Sequence, residues 1–268
     1  MRHDCLIDIG ANLAHDSFDT DRDAVLSRAR AAGVGNIIVT GSCLTSTQQA
    51  IALAREHPGF LFATAGLHPH HASDLDDETL AALHSFATAG EVVATGEMGL
   101  DFFRDLSPRA TQELAFHRQL EMAVAVGKPA FLHQRDAHAR FLPILREYLD
   151  RLPAAVVHCF TGTRQELHDY LDCGLHIGIT GWICDERRGQ GLKDCVRDIP
   201  PDRLMIETDA PYLLPRGLRP KPATRRNEPM YLPAVIAAVA ASQDRPITQI
   251  AAETSATARA FFALPNGA

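Results

Sequence analysis

Four acids and imidazoles stand at the ends of short apolar runs, where a folded chain could bring them together. His133 ends PAFLH (129–133), His158 ends AAVVH (154–158), Glu97 follows EVVATG (91–96) and Asp209 follows RLMIET (203–208). His68 and His70 follow FLFATAG (60–66) in the segment GLHPH, and Asp8 lies within CLIDIG (5–10). Neutral imidazole and carboxylate together suit Zn²⁺, Mn²⁺ or a less selective divalent ion. A carboxylate at the end of an apolar strand is costly if it is buried alone. A bound cation removes that cost, and this is the reading adopted for Glu97 and Asp209. A lone histidine in such a place is more often a hydrogen-bonded structural residue. Two on adjacent strands, with a carboxylate on the strand before, favour metal ligation. Glu207 shares the inward side with Asp209 and is open to either a supporting or a structural role. Asp101 is either a helix cap or an orienting residue.

A second signal is cationic. The segment PRGLRPKPATRR (215–226) carries Arg216, Arg219, Lys221, Arg225 and Arg226, five cations in twelve residues, and begins six positions after Asp209. Guanidinium groups match phosphate geometry, so Arg216, Arg225 and Arg226 are expected to contact phosphates, together with His68 and Arg135. Arg135 and Asp136 could instead pair with each other. Arg187 and Arg188 extend the cationic surface. Phe160 and Trp182 are suited equally to stacking a base or to packing in the core. The other histidines, His3 among them, are read as uninvolved.

The elements that would position these groups follow a regular alternation. Eight short apolar runs (5–10, 36–40, 60–66, 91–96, 129–133, 154–158, 176–181 and 203–208) lack strict alternation, as do parallel strands buried on both faces. Helical stretches lie between and after them, at about 19–32, 46–56, 77–89, 108–126, 137–148, 163–172, 189–196, 228–242 and 247–262. Ser46, Asp77, Ser107 and Thr163 are expected as N-caps, with Pro108 at a first helical position. Eight such units in series predict a (β/α)₈ TIM barrel, α/β in class, forming a single domain over residues 1–268. An open doubly wound sheet is the rival, but GANLAH after the first run is not a dinucleotide-binding G-x-G-x-x-G. Residues 209–233 hold six prolines and read as an ordered functional loop. In a barrel the strand ends converge on the face that carries the active site.

Composition limits the partners. The chain has 268 residues, 46% hydrophobic and 22% charged, with a formal charge of −7. It is not a general polyanion binder, so nucleic acid must be met by a local patch or a metal. The six cysteines form no C-x-x-C and read as reduced thiols, which fits a cytoplasmic home. MRHDCLIDIG does not read as a signal peptide. The apolar stretch 233–241 is far below the roughly 20 residues of a membrane span, so no membrane segment is expected. The default oligomeric state is monomer.

The ordered set DIGANL, GLHPH, GEMGLD, HQRDAH, HCFTG, GITGWICDERRG, ETDAPYLLPR and KPATRRNEP resembles the TatD family of metal-dependent deoxyribonucleases over nearly the whole chain. The resemblance implies a TIM barrel of the metal-dependent hydrolase type. It also implies Mg²⁺-supported 3′→5′ exonuclease action on single-stranded DNA and RNA, in repair of oxidatively damaged DNA. Glu97, His133 and His158 would be metal ligands and Asp209 a ligand or general base, with a 5′-mononucleotide released. Histidine-rich ligation by itself would suit Mn²⁺ or Zn²⁺. Most relatives carry H-x-H on the first strand, where this chain has Gly10 and Asn12, a replacement shared by one branch of the family. One firmly held ion is therefore expected. The rival activities are D-aminoacyl-tRNA deacylase or another amidohydrolase chemistry on the same barrel, and a non-catalytic binding protein with a decayed site.

Overall fold

The computed structural model describes residues 5–265; His3 and the first four residues of the N-terminal stretch lie outside that range. The apolar runs become strands β1 (Leu6–Ala11), β2 (Val34–Val39), β3 (Leu61–Ala65), β4 (Val92–Asp101), β5 (Ala130–Arg135), β6 (Ala155–Val157), β7 (His176–Ile179) and β8 (Leu204–Ile206). They pair in parallel in chain order, β1 to β8. The helices between and after them are α1 (Arg22–Ala31), α2 (Leu44–Glu56), α3 (Asp77–Ala87), α4 (Arg109–Val126), α5 (His138–Arg146), α6 (Arg164–Asp172), α7 (Gln190–Cys195), α8 (Leu232–Gln243) and α9 (Ile247–Phe261). This is the expected TIM barrel, and the rival open sheet is excluded.

The barrel closes where β1 meets the backbone just after β8. Ala11 bridges Ala210, Asn12 N–H donates to Ala210 O (2.6 Å) and Asp209 N–H donates to Gly10 O (2.8 Å). Asp8 fastens this seam. Fully buried, it accepts from Thr208 N (2.9 Å), Thr208 Oγ1 (2.5 Å) and Gly10 N (3.3 Å). It is therefore a clasp between the first and last strands, although it was counted among the acids gathering at strand ends. Below the seam, Phe261, Phe262 and Leu264 pack with Ile7, Ile9, Phe131 and Met205. The end of the chain thereby plugs the bottom of the barrel, leaving the C-terminal mouth for the site.

β4 runs past its expected end at residue 96 and carries Glu97 within it. Two glycines allow this. Gly96 (φ +132°) and Gly99 (φ +147°) lie so close to β5 that a Cβ at either would strike the carbonyl oxygen of Phe131 or His133. The close approach sets β4 and β5 side by side at their ends, with Gly99 in register with His133.

Helix starts differ in detail from the sequence reading. Thr163 caps α6 in a capping box with Glu166, as expected. Ser46 is instead the third residue of α2, where its Oγ accepts from Cys43 N (2.9 Å) at the cap. Asp76 rather than Asp77 caps α3, through Thr79 N (2.7 Å). Pro108 occupies the cap of α4 itself. Ser107, freed from that role, donates to His70 O (3.0 Å) and ties the α4 entry to the His68–His70 loop.

Burial pushes the Asp8 carboxyl up to about 8 from 3.8, against the lowering effect of its Thr208 bonds. The folded protein thus binds this proton more tightly than the unfolded chain, and its contribution to stability is full below about 3.8 and lost as pH rises through about 8. Asp8→Asn, which mimics the protonated acid, should unfold close to the parent in acid and gain on it as pH is raised towards 8. Asp8→Ala should lose about 1–3 kcal/mol in acid by orphaning buried donors, a deficit that shrinks as pH rises. Urea unfolding of the three proteins across that range measures this; parallel parent and Asn curves would refute it.

Candidate metal centre and substrate cleft

Glu97 Oε1 is the focus of three imidazoles from different strands or loops. His158 Nε2 lies 2.7 Å from it, His133 Nδ1 3.0 Å and His68 Nε2 3.4 Å. All four side chains are largely buried at the C-terminal mouth. Burial alone would raise the Glu97 pKa, but charge on His158 and hydrogen bonds from His133 and His158 outweigh it and hold the acid well below its usual range. His68, Glu97 and His133 offer ligand atoms within 4.8 Å of one another. Neighbouring ligands on one ion, at bonds of about 2.0–2.1 Å, stand about 2.9 Å apart at right angles. Of the expected ligands, Glu97 and His133 fall in this group together with His68, whereas His158 stands outside it and meets Glu97 Oε1 through a hydrogen bond.

Surrounding groups fix the orientation of each imidazole. Glu207, fully buried, accepts from Cys159 N (2.5 Å) and sits 3.3 Å from His158 Nδ1. A carboxylate behind one ring nitrogen leaves the other turned forward as a metal ligand. Burial lowers the His158 pKa, but Glu97 and Glu207 overcome it and raise it well above the usual value. His133 Nε2 is buried without a hydrogen-bond partner, 3.5 Å from Asp101 Oδ2. Asp101 also holds His70 Nε2 (2.8 Å) and accepts from Phe103 N and Arg104 N (3.0 and 2.8 Å). It is an orienting residue for this loop and not a helix cap.

His68 has a distinct tautomer. Its Nδ1 accepts from His70 N–H (3.1 Å), and burial holds its pKa well below the ordinary value. A neutral ring with an accepting Nδ1 carries its proton on Nε2. That nitrogen faces Glu97 Oε1 at 3.4 Å, and to ligate a cation there the ring would carry its proton on Nδ1 instead.

Asp209 lines the same cleft and accepts from Asn12 Nδ2 (3.0 Å). Burial raises its carboxyl to about 7; Glu97 and Glu207 push the same way, opposed by His158 and Asn12. The first strand's two departures have clear places here. Asn12 supports Asp209. At Gly10 a Cβ would collide with the Glu207 carboxylate, so Glu207 fills the space in which a larger residue on β1 would project.

These groups sit at the base of a cleft of about 930 Å³. Arg135 and Arg225 line it, as do Arg104 and Arg188. Arg135 lies over the Phe103 ring (4.2 Å) and Arg188 over Trp182 (4.2 Å). Phe103 and Tyr212 are half-exposed on the rim. Neither was singled out from sequence; nothing in the pattern separates an exposed rim aromatic from a core one. Trp182 faces the cleft, whereas Phe160 is buried in the core. The structure also divides the cationic segment. Arg226 is committed to Asp21 (2.7 Å) and Glu228 (2.9 Å) and is not part of the cleft lining. Arg216 binds Asp185 (3.1 Å) and faces a neighbouring groove. Asp136 and Arg135 do not pair; Arg135 stays with the aromatics.

Eight parallel strands carrying acids and imidazoles at their C-terminal mouth define a barrel hydrolase. The chain belongs to the TatD-related DNase family, whose model matches residues 7–263. It is 51% identical to the "3′-5′ ssDNA/RNA exonuclease TatD" of Erwinia tasmaniensis over 259 residues, 97% of this chain and 100% of that one. To the protein of the same name from Cronobacter turicensis it is 52% identical over 257 residues, covering 96% and 97%. Among solved structures, the TatD homologue YjjV of Escherichia coli K12 superposes with a TM-score of 0.88 at 30% identity, covering 99% of this chain and 100% of that one.

The Glu207–His158 contact predicts a specific loss. Glu207→Gln should weaken Mn²⁺ affinity by about 10–100-fold without unfolding the protein. Calorimetric titration with circular dichroism tests this, and an affinity within two-fold of the parent would refute the orienting role.

Proposed function

We propose that the chain is a divalent-metal-dependent 3′→5′ exonuclease of single-stranded DNA and RNA, working as a monomeric, single-domain cytoplasmic enzyme in repair of oxidatively damaged DNA. The observation that carries this reading is the convergence of His68, His133 and His158 on one oxygen of Glu97 at the base of an arginine- and aromatic-rimmed cleft. Glu97, His133 and His158 would hold the ion, with Asp209 beside it as ligand or base. Mg²⁺ is the first choice of metal, with Mn²⁺ and Zn²⁺ as alternatives. When bound, the ion supplies Lewis acidity toward a phosphodiester.

The chain's own residues supply the remaining functions. Asp209, raised to about 7 by burial, is suited to receive a proton from the attacking water near neutral pH. His68 Nε2–H donates to a phosphate oxygen. Arg135 and Arg225 hold phosphates, and Phe103, Trp182 and Tyr212 offer flat surfaces on which any base can stack. Because a flat ring stacks on any base, this rim supports sequence-tolerant binding.

Glu97→Ala and Asp209→Ala should each lower turnover by at least about 10²-fold while circular dichroism shows the fold retained. Product analysis on end-labelled single strands, with Mg²⁺, Mn²⁺ or EDTA, measures it. Release of 5′-mononucleotides that stops in EDTA is the expected result. Near-normal hydrolysis by both variants, or turnover of acylated tRNA in place of oligonucleotide, would overturn the assignment.

A further inference from the structure

A second groove, of about 690 Å³, lies beside the cleft. One wall is α7 and the turn after it, with Lys193 and Arg197; the other is the loop bearing Arg216 and Arg219. Its floor is the alanine face of α8, where short side chains leave room between the walls. The two cavities adjoin. Trp182 lines the cleft while the next residues, Ile183 and Cys184, line the groove. Asp185 Oδ2 binds Arg188 (3.0 Å), which faces the cleft, and Arg216 (3.1 Å), which faces the groove.

The charge of the groove is unusual for this chain, whose formal charge is −7. Four cations line it against two acids, Glu186 and Asp194, and one of the four, Arg216, is paired with Asp185 (3.1 Å). Most arginines elsewhere in the structure are ion-paired. By contrast, among the described residues no carboxylate lies within ion-pair distance of Lys193, Arg197 or Arg219; Arg197 reaches only Ser242 O and Arg219 only Leu218 O. Unpaired cations in a groove with an apolar floor, joined to the arginine-lined cleft through the Arg188–Asp185–Arg216 bridge, fit a flexible polyanion with apolar faces between its charges.

We propose that this groove binds the single strand on the 5′ side of the bond being cut, so that a nucleic acid chain leaves the cleft across Arg188 and Arg216 and continues between α7 and α8. The proposal rests on the exonuclease reading. It assigns the groove to affinity and to retention of longer strands, and leaves the chemistry of the last bond to the cleft.

The test is the double variant Lys193→Gln/Arg197→Gln, compared with the parent on oligonucleotides from 2 to about 20 nucleotides. For the parent, KM should fall with length by about 10-fold or more; for the variant the fall should be several-fold smaller, with dinucleotide turnover unchanged. Binding of a labelled 20-nucleotide strand in EDTA, followed by anisotropy against salt, should show a slope lower by about 1.4 in the variant, about 0.7 for each lost contact. Equal salt slopes and equal length dependence in the two proteins would overturn the groove. If neither protein hydrolysed any oligonucleotide with any metal, the exonuclease reading would fall, and the anisotropy comparison would still decide whether the groove binds the strand.

Discussion

A carboxylate buried at the mouth of a barrel must be met by positive charge, and the surroundings of Glu97 follow from that requirement. Three imidazoles converge on one of its oxygens. Each imidazole then needs its own partner: Glu207 behind His158, Asp101 near His133, and the backbone of His70 behind His68. The hydrogen bonds select the tautomers, and the tautomers separate the roles. His158 Nε2 lies against Glu97 with Glu207 behind the ring, whereas His68 Nδ1 accepts from the His70 N–H.

The fold makes this concentration of polar groups tolerable. The lower barrel is filled by side chains such as Ile9, Ile38, Phe131 and Met205 and is plugged by the last helix, so the polar cluster occupies only the upper end. The seam between β1 and β8 is held by Asp8 and by backbone bonds that pass through Gly10, Asn12, Asp209 and Ala210. Barrel closure and placement of Asp209 are therefore one structural event. A chain that failed to close would also misplace its proposed base.

Loops above this base divide the cationic residues by function. Arg226 fastens the loop to α1 through Asp21, and Arg216 is held by Asp185, whereas Arg135 and Arg225 remain on the cleft. Clustered charge in a sequence thus became three things in space: a structural clamp, a cationic edge of the cleft and the wall of a second groove.

Much of this was legible in the residues. Eight apolar runs alternating with amphipathic stretches specify a barrel because buried parallel strands need apolar faces on both sides, and His133, His158, Glu97 and Asp209 stand out because polar groups rarely end such runs without a purpose. Helix caps were less legible, since Ser46 and Asp77 are good capping types one or more positions from the true boundary. What tertiary structure alone decided is which partner each polar group meets. Asp8 looked like the other strand-end acids until it was seen bonded to Thr208; Glu207 and Asp101 acquired orienting roles only through rings 49 and 32 positions distant; and Arg225 and Arg226, adjacent in sequence, point to different surroundings. Residue type fixes what a side chain can bond, whereas its partner depends on distances between strands that only the closed barrel sets.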